Sequence, residues 1–424
     1  MSDHLAKRNY WLLSGCILSF FLTWSFCFSI YPIWLNQAIG LNGAETGIVF
    51  SINAITALFI MPCYGFIQDK LGLRKQLLWF VGAMLLLSGP FFIYIYSPML
   101  TASLYLGAII GGFFCSVAFF AGVGAVETYI DRVGRTTGFE FGKARMWGSV
   151  GWAIATFFTG QIFNISASLN FVLASLCAVM FLTCLFFVTV NEDGSKQIND
   201  DNQASALKLG DAISLFKDSK FWAFSTFVIG VSCIYGVYDQ QFAVYFAAQF
   251  PTQAEGNAMF GYLNSLQVFL EAGGMFLAPF LVNKIGAKNG LVLSGIVMAI
   301  RIIGSGYADD PYSISAMKLL HAVELPIMLI AIFKYISATF DARLSATIYI
   351  VGFQFMSQLA ASGLSILTGV LYDEIGFASA YKLIGMVVAF FVIVSMFVLT
   401  SDKKPKQSVI FTNNKVPFPH NEVN

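Results

Sequence analysis

The feature that most constrains this chain is a series of apolar runs, each about 20 residues long and so able to cross the hydrocarbon core of a bilayer as a helix. Twelve can be read, at about 10–34, 46–67, 76–97, 101–125, 146–165, 168–190, 221–248, 258–281, 289–307, 312–333, 345–370 and 379–400. Within lipid every backbone donor and acceptor must be satisfied by the protein itself, which leaves helices and closed barrels. A twelve-strand barrel would show alternating segments of about ten residues in place of unbroken runs. The expected fold is therefore an all-α integral membrane protein with twelve transmembrane helices. Only 11% of the residues are charged, against about 25% in soluble domains. The first span is too long for a signal-peptide core and no small-residue cleavage site follows it, so it should remain in the mature protein.

Lysine and arginine accumulate in cytoplasmic loops, and counting them gives an orientation. With the N-terminus inside, 20 of the 24 basic residues fall on the inner side. The outer loops hold at most Lys382, while Arg145, Arg301 and Lys318 lie within or beside apolar runs. Both termini are expected in the cytoplasm. The longest polar stretch between spans, 191–220, separates six spans from six. This divides the chain into a bundle over 1–190, a cytoplasmic linker over 191–220, a second bundle over 221–400 and a polar tail over 401–424. A repeat supports the division: the run from Asp69 to Lys75 (DKLGLRK) follows the second span, and the run from Asn283 to Asn289 (NKIGAKN) follows the eighth.

Several function classes drop out. A formal charge of +1 supplies no net field to attract nucleic-acid phosphates. The seven cysteines are scattered through apolar runs without metal-site or disulfide spacing. The segment Gly138–Lys143 (GFEFGK) resembles a phosphate loop but has three residues between its glycines, and Ala144 stands where serine or threonine is needed. No cofactor, metal or ATP-driven pumping is expected, and no nucleophile with its base suggests an enzyme. The Gly107 and Gly111 pair reads as helix packing.

Ionisable side chains inside a bilayer are costly, so each is a functional candidate whose partner should be named. In the tenth span Lys318, His321 and Glu324 are spaced three and three, which puts them on one arc of the helix. Arg301 in the ninth span and Asp239 in the seventh add a charge of each sign, and Glu271 in the eighth adds an acid one turn after Gln267. In the first half Glu127 closes the fourth span and Arg145 opens the fifth, with Trp152 seven residues on and on the same helical face. A carboxylate and a guanidinium can bond vicinal hydroxyls in forked geometry while an indole covers the apolar face of a pyranose. That combination suits a sugar. Structural readings stand beside these: buried ion pairs can serve only to join helices, and a tryptophan on a span is often interfacial or packed.

The run from Gly65 through Asp69, Gly72 and Arg74 to Lys75 resembles the major facilitator signature between helices two and three. The stretches at 126–152, 235–242, 301–305 and 318–326 resemble the oligosaccharide:proton symporters, the family of lactose, raffinose and sucrose permeases. The resemblance covers nearly the whole chain. It implies two six-helix bundles, each of 3+3 inverted repeats, with substrate near the bilayer midplane. It also implies that Glu127, Arg145 and Trp152 bind sugar; Gln267, Glu271 and Gln358 are further candidates for the substrate site. Glu324 would carry the coupled proton and Arg301 would help it deprotonate. His321 and Tyr235 would be a hydrogen-bonded pair linking the two sites, Asp239 and Lys318 a structural charge pair, and Gly65, Asp69, Gly72 and Arg74 a conformational motif.

The pattern of lactose permeases is broken in places. Its acid on helix eight falls at Val268, with Glu271 three residues later, and a second charge pair is replaced at both ends by Gly236 and Ser357. The stretches 23–35, 262–273 and 367–373 resemble the sucrose permease branch. The resemblance thus implies proton-coupled import of a disaccharide, sucrose ahead of lactose, melibiose or raffinose, by a monomer in the bacterial cytoplasmic membrane. An uncoupled sugar facilitator and a sugar sensor are the competing classes. The expected partners are sugar, proton and lipid.

Overall fold

The structure, a computed structural model, describes residues 2–190, 215–341 and 344–401. The linker expected over 191–220 lies mostly outside the described residues, as does nearly all of the tail. Helices account for the described spans as follows: α1 Ala6–Ile39, α2 Gly43–Leu71, α3 Gln76–Leu86 with Ser88–Ala102, α4 Leu104–Thr137, α5 Phe141–Ile165, α6 Ala167–Phe187, α7 Ser219–Ala247, α8 Gln253–Ile285, α9 Ala287–Tyr307 and α10 Pro311–Thr339. The last helical stretch, Ile348–Val398, turns at Gly376 into α11 (348–375) and α12 (377–398). The two pieces of α3 meet at a 44° bend. Together these are the twelve spans of the sequence reading. α5 is long enough to cross but opens with Lys143 and Arg145, which lower its apolar character.

The boundaries follow local chemistry. The Asn42 side chain accepts from the Glu45 amide at 2.8 Å while the Glu45 carboxylate accepts from the Asn42 amide at 3.0 Å, so a capping box starts α2. Asp310 starts α10 by accepting from the Tyr312 and Ser313 amides at 2.8 and 3.1 Å. The Ser313 hydroxyl, followed by these two amides, holds the Asp310 carboxyl below the usual range. α2 and α8 both end at a glycine with positive φ, Gly72 at 58° and Gly286 at 90°. Only glycine adopts such a turn without strain, so the repeated turns of the sequence share one structural cause. The apolar run of the fourth span ends near 125, but the helix continues to Thr137; Glu127 therefore sits well inside α4 and does not close it.

Two apolar cores form, one from residues 13–188 and one from 215–399 with Ile30 and Ile33 of α1 added. Where the two sets of helices meet, one face of the molecule is sealed by close backbone approach. A Cβ on Gly43 would stand 2.7 Å from the Gly369 carbonyl oxygen, and one on Gly261 would stand 2.7 Å from that of Thr156. Hydrogen bonds join the halves at the same level: the Gly43 and Ala44 amides donate to Asp373 at 2.8 and 2.7 Å, and Gln37 and Asn257 bond reciprocally at 3.1 and 3.0 Å. Toward the other ends of these helices the halves separate, and a Cβ on Gly142, Gly236 or Gly273 would meet nothing within 4 Å. The Gly107 and Gly111 pair packs α4 against α3, its faces resting on Leu100 and Tyr96.

Candidate functional site

The separation between the halves is a cavity of about 830 Å³. α5 supplies Arg145 and Ser149, α7 supplies Ser232, Tyr235, Gly236 and Gln240, α8 supplies Val268 and Glu271, and α11 supplies Ser357 and Gln358. A mixed wall of this kind, apolar with a few convergent polar groups, is typical of small-molecule sites.

On the first half, Arg145 is ion-paired through Nε with Glu127, across from α5 to α4. The two side chains keep 34% and 30% of their exposure, so the pair faces water. The guanidinium also lies over the Phe21 ring of α1, 4.5 Å from its centroid. Trp152 shares this neighbourhood, but its ring packs edge-on against Trp24 and Phe21, with centroids 5.6 and 6.4 Å away. It is not part of the cavity wall among the described residues.

The second half carries a dry charge cluster. Arg301 of α9 is fully buried, with Nη2 2.7 Å from Glu324 Oε1 and Nη1 3.4 Å from Asp239 Oδ1; Glu324 is 1% exposed. Lys318 Nζ donates to Asp239 Oδ1 at 2.8 Å, and His321 Nδ1 lies 3.1 Å from Glu324 Oε1. The arc read from the spacing of Lys318, His321 and Glu324 is thus one buried face of α10. Arg301, Lys318, His321 and Glu324 are almost wholly buried while Asp239 keeps 23% of its exposure, so charge cannot change at one buried group without disturbing the rest. Tyr235 and His321 touch by ring stacking, with centroids 4.8 Å apart and planes 11° apart, where the resemblance implied a hydrogen bond. Tyr235 lines the cavity while His321 lies behind it.

The remaining candidates fall in three places. Glu271 and Gln358 line the cavity; Gln267 is buried with its side-chain oxygen unbonded. Val268 and Glu271 both reach the wall, so an acid displaced by one turn still faces the same space. Asp69 forms an ion pair with Arg132 at 2.5 Å beside the Gly72 turn, away from the cavity. Gly65 lies on α2 seven residues before Gly72, and Arg74 follows Gly72 by two. Sequence reasoning missed Gln240, Ser149 and Ser232. Gln240 could have been found, since it lies four residues after Gly236 and so on its helical face.

Two bundles around a central cavity with buried charges define a transporter of the major facilitator type. The fold resembles the crystal structure of the nucleoside transporter NupG at a TM-score of 0.77, with 14% identity, over 92% of this chain and 98% of that one. The chain belongs to the LacY proton/sugar symporter family, whose model matches residues 3–414. It is 41% identical over 403 residues to the melibiose permease of Enterobacter cloacae subsp. cloacae, covering 94% of each. To the sucrose permease of Escherichia coli it is 40% identical over 415 residues, covering 97% of this chain and 99% of the relative. The family is one of multi-pass permeases, not enzymes.

Proposed function

We propose that this permease couples entry of a disaccharide to entry of a proton by alternating access, with sucrose as the preferred sugar. The observation that carries the reading is the contrast between an Arg145–Glu127 pair that keeps about a third of its exposure, with Arg145 on the cavity wall, and a buried Arg301–Glu324 pair off that wall. A sugar can reach the first, and a proton is the ligand that the second can accept. The cavity, at about 830 Å³, falls in the usual range for small-molecule sites of about 300–1,000 Å³. Glu271, Gln358 and the neutral Gly236 and Ser357 set its second wall. That wall supports sucrose over a galactoside, because the acid and the charge pair of lactose permeases are displaced or replaced. Near-equal identity to a melibiose and a sucrose permease does not favour either sugar.

The domain division at 191–220, the cytoplasmic termini and the bacterial inner membrane complete the proposal. With the basic turns inside, the sealed face is outward and the cavity opens to the cytoplasm. Proton binding precedes sugar binding outside, the loaded form turns inward, sugar leaves and Glu324 gives up its proton. Coupling requires each ligand to favour one orientation over the other. Proton influx on adding sucrose, melibiose or lactose to vesicles tests the coupling and the choice of sugar. Sucrose should evoke influx. Influx with melibiose or lactose but none with sucrose would overturn the substrate, sugar entry without protons would make the protein a facilitator, and binding without entry would make it a sensor.

A further inference from the structure

Arg301 has fewer oxygen partners than donors. A guanidinium presents five N–H groups, yet Nε has no acceptor, and Nη2 lies in charge contact with Glu324 without meeting hydrogen-bond geometry. The contact of Nη1 with Asp239 is long, at 3.4 Å, and Asp239 is shared with the closer Lys318 at 2.8 Å. What fills the remaining side is the ring of Tyr238, whose centroid lies 4.6 Å from the guanidinium carbon. The ring is held from several directions. Its hydroxyl pairs with Ser305 Oγ at 2.8 Å, and Ser305 Oγ donates to the Arg301 carbonyl at 2.9 Å. The rings of Tyr381 and Phe242 stand 4.7 and 5.4 Å away. Tyr238 is wholly buried.

We propose that Tyr238 is a positioning residue for the proton-carrying pair, its ring face being the partner of Arg301 that stays the same whether or not Glu324 is protonated. The inference rests on reading Glu324 as the proton carrier. When that carboxyl takes a proton its attraction for Arg301 drops, and Asp239 is already engaged by Lys318. The ring keeps the guanidinium close enough to stabilise the ionised carboxylate, so that Glu324 releases its proton to water on the open side of the cycle, and its quadrupole attracts a cation most strongly where no water competes. Nothing in the sequence distinguished this tyrosine, since an aromatic residue on an apolar helix reads as packing.

The test uses the full-length protein in proteoliposomes, with radiolabelled sucrose and melibiose, whichever the unsubstituted protein exchanges. Uphill accumulation under an imposed proton gradient and equilibrium exchange are measured for Tyr238→Phe, Tyr238→Leu, Tyr238→Met and Glu324→Gln. Tyr238→Phe keeps the ring and should retain both activities within about twofold, while Leu and Met should cut accumulation at least about tenfold and leave exchange within about twofold. The two non-aromatic variants guard against one of them failing to fold. Full accumulation by either one overturns the inference, as does parallel loss of exchange and accumulation in both, which would mark a packing role. Loss in Tyr238→Phe equal to that in Tyr238→Leu would assign the role to the hydroxyl and overturn the ring. Accumulation by Glu324→Gln would instead overturn the proton-carrier reading beneath it.

Discussion

The molecule holds two arginines in similar company and different water. Arg145 and Arg301 each pair with a glutamate, Glu127 or Glu324, and lie over one aromatic face, Phe21 or Tyr238; Arg301 adds a longer contact to Asp239 at 3.4 Å. The first pair keeps about a third of its exposure and the second almost none. An ion pair in contact with water contributes about 0–1 kcal/mol, so Arg145 can exchange part of its bonding for a ligand hydroxyl at little cost. Removing one partner of a dry pair costs about 3–5 kcal/mol, so Glu324 and Arg301 should separate only when charge itself changes. On the proposed function, the same chemical set serves as a ligand site at one depth and as a charge switch at the other.

The largest effect should come from the dry centre. Glu324→Gln removes the carboxyl proposed to carry the proton, and accumulation against a gradient should be abolished while equilibrium exchange of sugar continues. Measured per molecule in the membrane, this is separated from any loss of folded protein caused by leaving Arg301 with Asp239 alone. A variant that still concentrates sugar would remove the distinction between the two centres.

The wet centre should respond next. Arg145→Lys preserves charge but loses the planar fork that meets two acceptors at once. Sugar affinity by calorimetry should fall at least about tenfold, since hydrogen bonds to charged groups contribute about 1.5–3 kcal/mol each. Proton influx driven by saturating sugar should persist at a reduced rate. Near-normal affinity would mean that the sugar is held elsewhere on the wall.

How much of this was legible in the chain differs by level. The spans were plain because a bilayer demands apolar length, and the turns at Gly72 and Gly286 were plain because their glycines and basic residues repeat. The extension of α4 beyond its apolar run was hidden, because a helix that leaves the lipid needs no further apolar residues. The charged arc of α10 followed from helical period alone. Which groups reach the cavity did not, since spacing fixes a face of a helix but not how that helix is rotated against its neighbours. Gln240 on the wall and Trp152 among aromatic rings both depend on that rotation.

A smaller effect should come from placing a second charge pair on the cavity wall. Gly236 and Ser357 both line it, and a Cβ on Gly236 would meet nothing, so Gly236→Asp introduces charge without a clash. An unpaired charge there keeps part of its hydration, so each of Gly236→Asp and Ser357→Lys should lower transport several-fold without the full cost of about 3–5 kcal/mol for a dry stranded charge. The double variant should recover part of the loss. A double variant no better than either single would show that the two positions do not face each other closely enough to pair.

The smallest effect should come from Trp152→Phe, and it decides whether the wet centre includes an aromatic platform. In this structure the indole meets Trp24 edge-on at 5.6 Å and Phe21 at 6.4 Å, off the cavity wall. A phenyl ring can keep much of both contacts, and each aromatic pair contributes about 0.5–1.5 kcal/mol beyond its buried area. Affinity should therefore fall only about twofold to threefold. Trp152→Ala then separates two roles. If the ring turns to cover the sugar, affinity should fall sharply while the melting temperature of the sugar-free protein changes little. If the ring only packs the first half, the melting temperature should fall and affinity should hold in the folded fraction. A fall in affinity alone would place Trp152 with Arg145, and a fall in melting temperature alone would leave Arg145 and Glu127 as the sugar-facing pair of that half.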